Sequence, residues 1–133
     1  MPPHWTATAT TALTVLMAVG SCSKDPTTST SETYPVTAGD KTCDVARTRF
    51  APGTITFRVD NTGSDVTEVY VYAKAGDAFT EIIEEAENIG PGTSRDLTVN
   101  LAAGEYQLTC KPGMVGTGIS VPITVTSAAG SAS

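Results

Sequence analysis

Thr54-Ile55-Thr56-Phe57-Arg58-Val59 places an apolar side chain at every second position. That is the period of a strand with one face buried, and Ile55, Phe57 and Val59 make the core face. Asp60-Asn61-Thr62-Gly63-Ser64 supplies the turn that follows. Outward from this stretch, Thr67 to Tyr72 is a second run, rich in Val and Tyr. Leu97-Thr98-Val99-Asn100-Leu101 alternates again and stops at Ala102-Ala103-Gly104, which reads as a hairpin turn. Tyr106-Gln107-Leu108-Thr109-Cys110 returns with Tyr106, Leu108 and Cys110 on one face, and Ile119 to Val125 closes the series. Short strands at regular spacing argue for an all-β sandwich or barrel, and about ninety residues supply one modest core. One segment departs from the pattern. Phe79, Ile82, Ile83 and Ala86 stand at i, i+3, i+4 and i+7, with Asp77 as a cap and Gly90 as a stop. The spacing predicts a short helix or irregular excursion over 77–83, then a strand or loop over 84–89.

The ends of the chain read differently from its body. Residues 1–21 read as an export signal: Ala12 to Val19 is an apolar run too short to span a bilayer. Val19-Gly20-Ser21-Cys22 resembles the lipobox of bacterial lipoproteins, in which the cysteine thiol accepts diacylglycerol and becomes the new N-terminus. Met1 to Trp5 holds no Lys or Arg, a departure from the usual basic start, and an ordinary secretory signal with a chance Cys is the other reading. Residues 22–35 read as a disordered tether, because Ser23 to Thr33 offers nothing apolar to bury. The folded domain is expected over 36–127, and 128–133 as a disordered tail.

Charge and residue counts narrow the chemistry. The 133-residue chain has net charge −6, and all its acidic residues follow Cys22. With no basic run, nucleic acid is not an expected partner; an acidic surface suits cations or simple solubility. The one His is His4, inside the signal. A mature chain without His cannot form a blue-copper site of two His and a Cys, a His-ligated zinc site, or a Ser-His-Asp or Cys-His nucleophile. No phosphate-binding or dinucleotide fingerprint appears either, so no catalytic residue is assigned and no enzyme is expected.

Two constellations remain. Cys43 lies near the start of the folded body, and Cys110-Lys111-Pro112-Gly113-Met114 near its end. Two Cys in an exported domain commonly form a disulfide. The alternative makes their thiolates soft metal ligands, joined by the Met114 thioether and the Glu68 carboxylate; sulfur selects copper and carboxylate suits harder cations. The second constellation is Glu84-Glu85-Ala86-Glu87, next to Asn88-Ile89-Gly90-Pro91-Gly92. It is either a solvated edge or a rim of carboxylates around a cation.

Thr67-Glu68-Val69-Tyr70-Val71-Tyr72, Glu85-Ala86-Glu87-Asn88-Ile89-Gly90-Pro91-Gly92-Thr93-Ser94-Arg95 and Ala103-Gly104-Glu105-Tyr106-Gln107-Leu108-Thr109-Cys110-Lys111-Pro112-Gly113-Met114, in this order and spacing, resemble the cupredoxin-like domain of the EfeO family, the extracytoplasmic component of the EfeUOB iron-uptake system. The resemblance implies a cupredoxin-like Greek-key β-sandwich that handles copper, iron or both. It implies a soft metal site of Cys43, Glu68, Cys110 and Met114, and a second, harder site of Glu84, Glu85 and Glu87. It also implies iron permease and peroxidase components as partners and, at most, copper-assisted oxidation of ferrous iron; contact with the membrane through a lipid on Cys22 is implied separately, by the lipobox resemblance. The helical imelysin-like domain of full-length family members has no counterpart here, so a stand-alone module is expected. The stretch between Tyr72 and Glu84 is also longer than the family's.

Overall fold

The computed structural model describes residues 32–127 together with Pro3. The expected signal (Pro3 apart), the lipidation site Cys22, tether residues 22–31 and the tail 128–133 lie outside the described residues. All regular structure among those described is strand: β1 (Thr33–Ala38), β2 (Cys43–Val45), β3 (Arg49–Phe50), β4 (Gly53–Asn61), β5 (Thr67–Ala75), β6 (Ala78–Ile89), β7 (Ser94–Leu101), β8 (Gly104–Pro112) and β9 (Ile119–Val125). They form a four-stranded sheet, β2-β1-β4-β7, and a five-stranded sheet, β3-β9-β8-β5-β6. The pairs β1–β4 and β3–β9 are parallel and the rest antiparallel. This is the expected all-β sandwich.

The alternating strands behave as their period demands. Ile55, Phe57 and Val59 of β4 and Leu97, Val99 and Leu101 of β7 are buried, and they meet Val69, Val71, Leu108 and Ile123 of the other sheet in one core. Phe50 packs edge-on against Phe57 at 5.7 Å and against Tyr34 at 4.8 Å. That aromatic contact draws Thr33, Tyr34 and Pro35 into β1, paired with Thr56, Phe57 and Arg58. The sheet therefore starts inside the segment expected to be tether.

Two local expectations are corrected. The segment 77–83 is not helical: Asp77 lies in a turn, and 78–83 belong to the twelve-residue strand β6. Gly76-Asp77 joins β5 to β6 as a two-residue hairpin loop, with Ala75 opposite Ala78. Gly76 takes φ +68°, the positive φ that the first position of such a loop requires. Register shifts along β5–β6 scatter the apolar residues, so helical spacing here records bulges rather than one face. Ala86 is buried, whereas Ile82 and Ile83 lie exposed on this edge strand. Nor is Ala102-Ala103-Gly104 a hairpin turn: β7 pairs with β4 and β8 with β5 and β9, so the segment crosses between sheets. Tyr106 fastens the crossing by donating its hydroxyl to the Ala102 carbonyl at 2.8 Å, as in the tyrosine corners of other sandwiches.

Candidate metal centre at one end of the sandwich

The turns after β1, β4, β6 and β8 gather at one end, and side-chain hydrogen bonds tie them. Asn61, 3% exposed, donates its amide to the carbonyls of Asp65 and Ile89, both at 2.8 Å, and accepts from the Gly63 N–H at 2.9 Å. Asp40 accepts from the Ser64 N–H at 2.7 Å and from its hydroxyl at 3.1 Å. Sequence marked 60–64 as a turn, but not Asn61 as its fastening. The relevant signal is Asn before Thr-Gly, a residue whose amide completes backbone turns.

Cys43 opens β2, after a turn closed by the Gly39 N–H on the Thr42 carbonyl at 2.9 Å. Cys110 lies near the end of β8. Their sulfurs are joined in a disulfide with Cα atoms 5.7 Å apart, and both side chains are buried. Because β2 and β8 belong to different sheets, the bond bridges the sandwich. After β8 the chain turns tightly. The Gly113 N–H reaches the Val66 carbonyl at 2.8 Å and the Met114 N–H the Lys111 carbonyl at 3.0 Å. Met114 holds φ +56°, unusual for a residue with a side chain and worth a functional question. The loop then lies close against β8. A Cβ on Gly118 would stand 2.6 Å from the Cys110 carbonyl oxygen, so no larger residue fits without moving the loop.

Glu68 does not join the sulfurs. It opposes Lys111 across β5–β8, while its neighbour Val69 opposes Cys110. Successive strand residues point to opposite faces, so Cys110 faces the core and Glu68 the outside of the sheet. There Glu68 is 6% exposed and its carboxylate lies 3.7 Å from the Lys111 ammonium. Lys111 in turn sits 4.3 Å from the centroid of the Tyr70 ring, which stacks on Tyr72 at 5.4 Å. Beyond Tyr72 an open groove of about 500 Å³ runs over the same face, lined by Ile82, Gln107, Thr109 and Ser120 among others.

The carboxylates regroup accordingly. Glu85 opposes Tyr70, whereas Glu84 opposes the core-facing Val71. Glu85 and Glu87 thus share the outer face with Glu68, and Glu84 points the other way. Among the described residues, no three His, Cys, Asp or Glu side chains converge closely enough to hold an ion. The outer carboxylates nevertheless act on Tyr70. Burial foremost, then a hydrogen bond to Glu68 and the charges of Glu68, Glu85 and Glu87, push its phenol far above the usual tyrosine range. A phenol raised on folding stabilises the fold fully below the unfolded-state value, about 10, and that contribution is lost as pH climbs beyond it. Tyr70 is therefore expected to stay protonated when the absorbance at 295 nm shows ordinary tyrosines ionising, and to titrate only with alkaline unfolding. The Tyr70→Phe variant should lose that late component, and a late component that survives in it would belong to another tyrosine.

The donor set of the sulfur pair decides what it fits. As a disulfide it offers no thiolate; reduced, it offers two soft donors fixed by strands of opposite sheets, a set suited to copper. A family model described as "Cupredoxin-like domain" matches residues 9–121. The iron uptake system component EfeO of Escherichia coli strain K12 is 33% identical over 75 residues, 56% of this chain and 19% of EfeO. EfeO of Shigella flexneri gives the same values. The chain thus matches about a fifth of the length of these relatives. Of solved structures, dithionite-reduced auracyanin from the photosynthetic bacterium Roseiflexus castenholzii is similar with a TM-score of 0.53 at 21% identity, covering 71% of this chain and 96% of auracyanin. A multicopper oxidase gives 0.50 at 14% identity, covering 72% and 42%. At such identities the likeness is one of fold.

Proposed function

The chain belongs to the cupredoxin-like family, and from that premise we propose that it is an extracytoplasmic, metal-binding accessory module of an EfeUOB-like iron-uptake system, held to the membrane through a lipid on Cys22. The 33% identity to EfeO supports the system. The observation that carries the metal reading is the Cys43–Cys110 juxtaposition at the end of β8. Reduced, these thiolates hold a copper ion, with the Met114 thioether in the following turn as a further soft donor. Copper, when bound, supplies one-electron redox chemistry. Glu68, turned away from the sulfurs, shares the outer face with Glu85 and Glu87 as hard oxygen donors that would have to draw together around an iron ion, since they do not converge on one in this structure. Glu84 lies on the other side of β6 and has at most an electrostatic part. The partners on this reading are the metal ion and the permease and peroxidase components of the system.

A second reading rests on the disulfide itself: a stapled sandwich that binds another protein and no metal. Thiol counts and metal titration separate the two. Full-length protein is purified from an oxidising compartment, and thiols are counted before and after reduction. Cu(I), Cu(II) and Fe(III) are then titrated, with uptake read by elemental analysis. The metal reading expects stoichiometric copper on the reduced protein, lost in Cys43→Ser or Cys110→Ser. A reduced protein that takes up no copper rejects that reading in favour of the staple. For the anchor, Cys22→Ser is expected to move the protein from the membrane to the soluble fraction; retention in the membrane would show that Cys22 is not what holds it.

A further inference from the structure

Thr67 begins β5 on the core side of the five-stranded sheet, 2% exposed, and its hydroxyl oxygen has no hydrogen-bond partner among the described residues. Native proteins leave few buried hydroxyls unpaired, and each calls for a cause. The register supplies one. Across β5–β8, Thr67 opposes Pro112, which has no N–H, and Val69 opposes Cys110. Thr67 and Cys110 are thus diagonal neighbours on one face, about 7–8 Å apart at Cα and somewhat less at Cβ, so the short hydroxyl and sulfur meet only when both turn toward each other, which they do not in the disulfide. On its other side Thr67 opposes Ile89, an apolar residue. In a disulfide the Cys110 sulfur is neutral and a weak acceptor. As a thiolate, free or metal-bound, it carries charge and accepts far more strongly.

We infer that the Thr67 hydroxyl is the hydrogen-bond donor to the Cys110 sulfur in the reduced and metal-bound states, and that it goes without a partner in the disulfide state. Thr67 is then a positioning residue. It fixes the sulfur and favours the reduced form, as outer hydrogen bonds do for ligands at other metal sites. The metal-bound half of the inference rests on the function proposed above; the hydrogen bond to the reduced sulfur does not.

The test is the thiol–disulfide equilibrium of the full chain with glutathione. Two glutathione thiols are oxidised to one glutathione disulfide while the Cys43–Cys110 bond breaks, so two electrons and two protons pass to the protein. The fraction reduced is read by thiol alkylation. Thr67→Val keeps the shape and removes the donor. It is expected to shift the equilibrium about tenfold toward the disulfide, which is about 30 mV more negative for a two-electron couple. Thr67→Ser, which keeps the hydroxyl, should return it to the wild-type position. The disulfide form of Thr67→Val should unfold no earlier than wild type, since an unpaired hydroxyl has been removed. An unchanged equilibrium in Thr67→Val, or an equal shift in Thr67→Ser, overturns the inference. Where reduced wild type takes up Cu(I), Thr67→Val should bind it more weakly. A shifted equilibrium with no copper uptake by wild type would uphold the hydrogen bond and overturn the metal reading alone.

Discussion

Replacing Cys43 and Cys110 together by alanine lowers the unfolding free energy of the oxidised protein by about 4 kcal/mol. The size follows from the 67 residues that separate the two sulfurs in sequence, because a cross-link closing so long a loop removes much of the unfolded chain's freedom. A small domain has only about 5–15 kcal/mol in all, so the variant should be marginal. The native side adds to the effect. β2 is a three-residue strand at the edge of its sheet, paired with β1 at three positions, whereas β8 is held on both sides by β5 and β9. The bond therefore fastens a weakly held edge to a strand paired on both sides. Urea unfolding should show a lower midpoint, together with a steeper slope, because an uncross-linked chain exposes more surface when it unfolds. Reductant should bring wild type down to the variant and leave the variant where it was. A loss below about 1 kcal/mol would mean that the bond is strained in the fold or that the unfolded chain is already compact.

What could be read in advance followed the physics of one-sided burial. β4 and β7 each have one wet and one dry face, so their period of two was visible and their inward residues are the buried ones. β6 has no such asymmetry. It is a bulged edge strand, and its register shifts against β5 convert strand positions into a spacing that imitates a helix. The sulfur pair was legible as two alternatives, because residue types allow both and only spatial position selects the disulfide. The grouping of Glu68 with those sulfurs failed on parity. Glu68 and Cys110 lie on opposite faces because Lys111, and not Cys110, stands across from Glu68, and the pairing register of two strands so far apart is written in neither. The split between Glu84 and its neighbours Glu85 and Glu87 is the simple alternation of a strand, one of the two conformations, strand or loop, expected over 84–89. Thr67 gave no signal at all, since an unpaired hydroxyl is a property of surroundings and not of sequence.

Lys111→Met should cost about 3 kcal/mol of stability, more than an exposed ion pair would. The Glu68 side chain is only 8% exposed and that of Lys111 20%. Water therefore solvates the Glu68 carboxylate poorly, and the ammonium 3.7 Å away is its compensating charge. Methionine keeps the bulk of the lysine stem but leaves a buried anion, the costly half of breaking such a pair. Glu68→Gln alone should cost less, since it removes the charge that requires solvation. In the double variant the two losses should fall well short of their sum, a coupling that only residues in contact show. Part of the lysine effect will not be recovered, because the ammonium also lies over the Tyr70 ring, a contact worth about 0.5–2 kcal/mol. Salt should weaken the coupling little, since buried pairs are screened less than exposed ones. If Lys111→Met costs under about 1 kcal/mol, the pair is effectively solvated and Glu68 is not a constrained anion. The same variant tests the iron assignment. A carboxylate neutralised by lysine is a poor cation ligand, so removing the lysine should free Glu68 to draw toward Fe(III) with Glu85 and Glu87, which do not converge on an ion in this fold, and so strengthen Fe(III) uptake while it weakens the fold. Loss of stability with gain of binding is what a carboxylate held in reserve for a metal would give. Loss of stability without it would leave the Glu68–Lys111 pair a purely structural feature of the outer face.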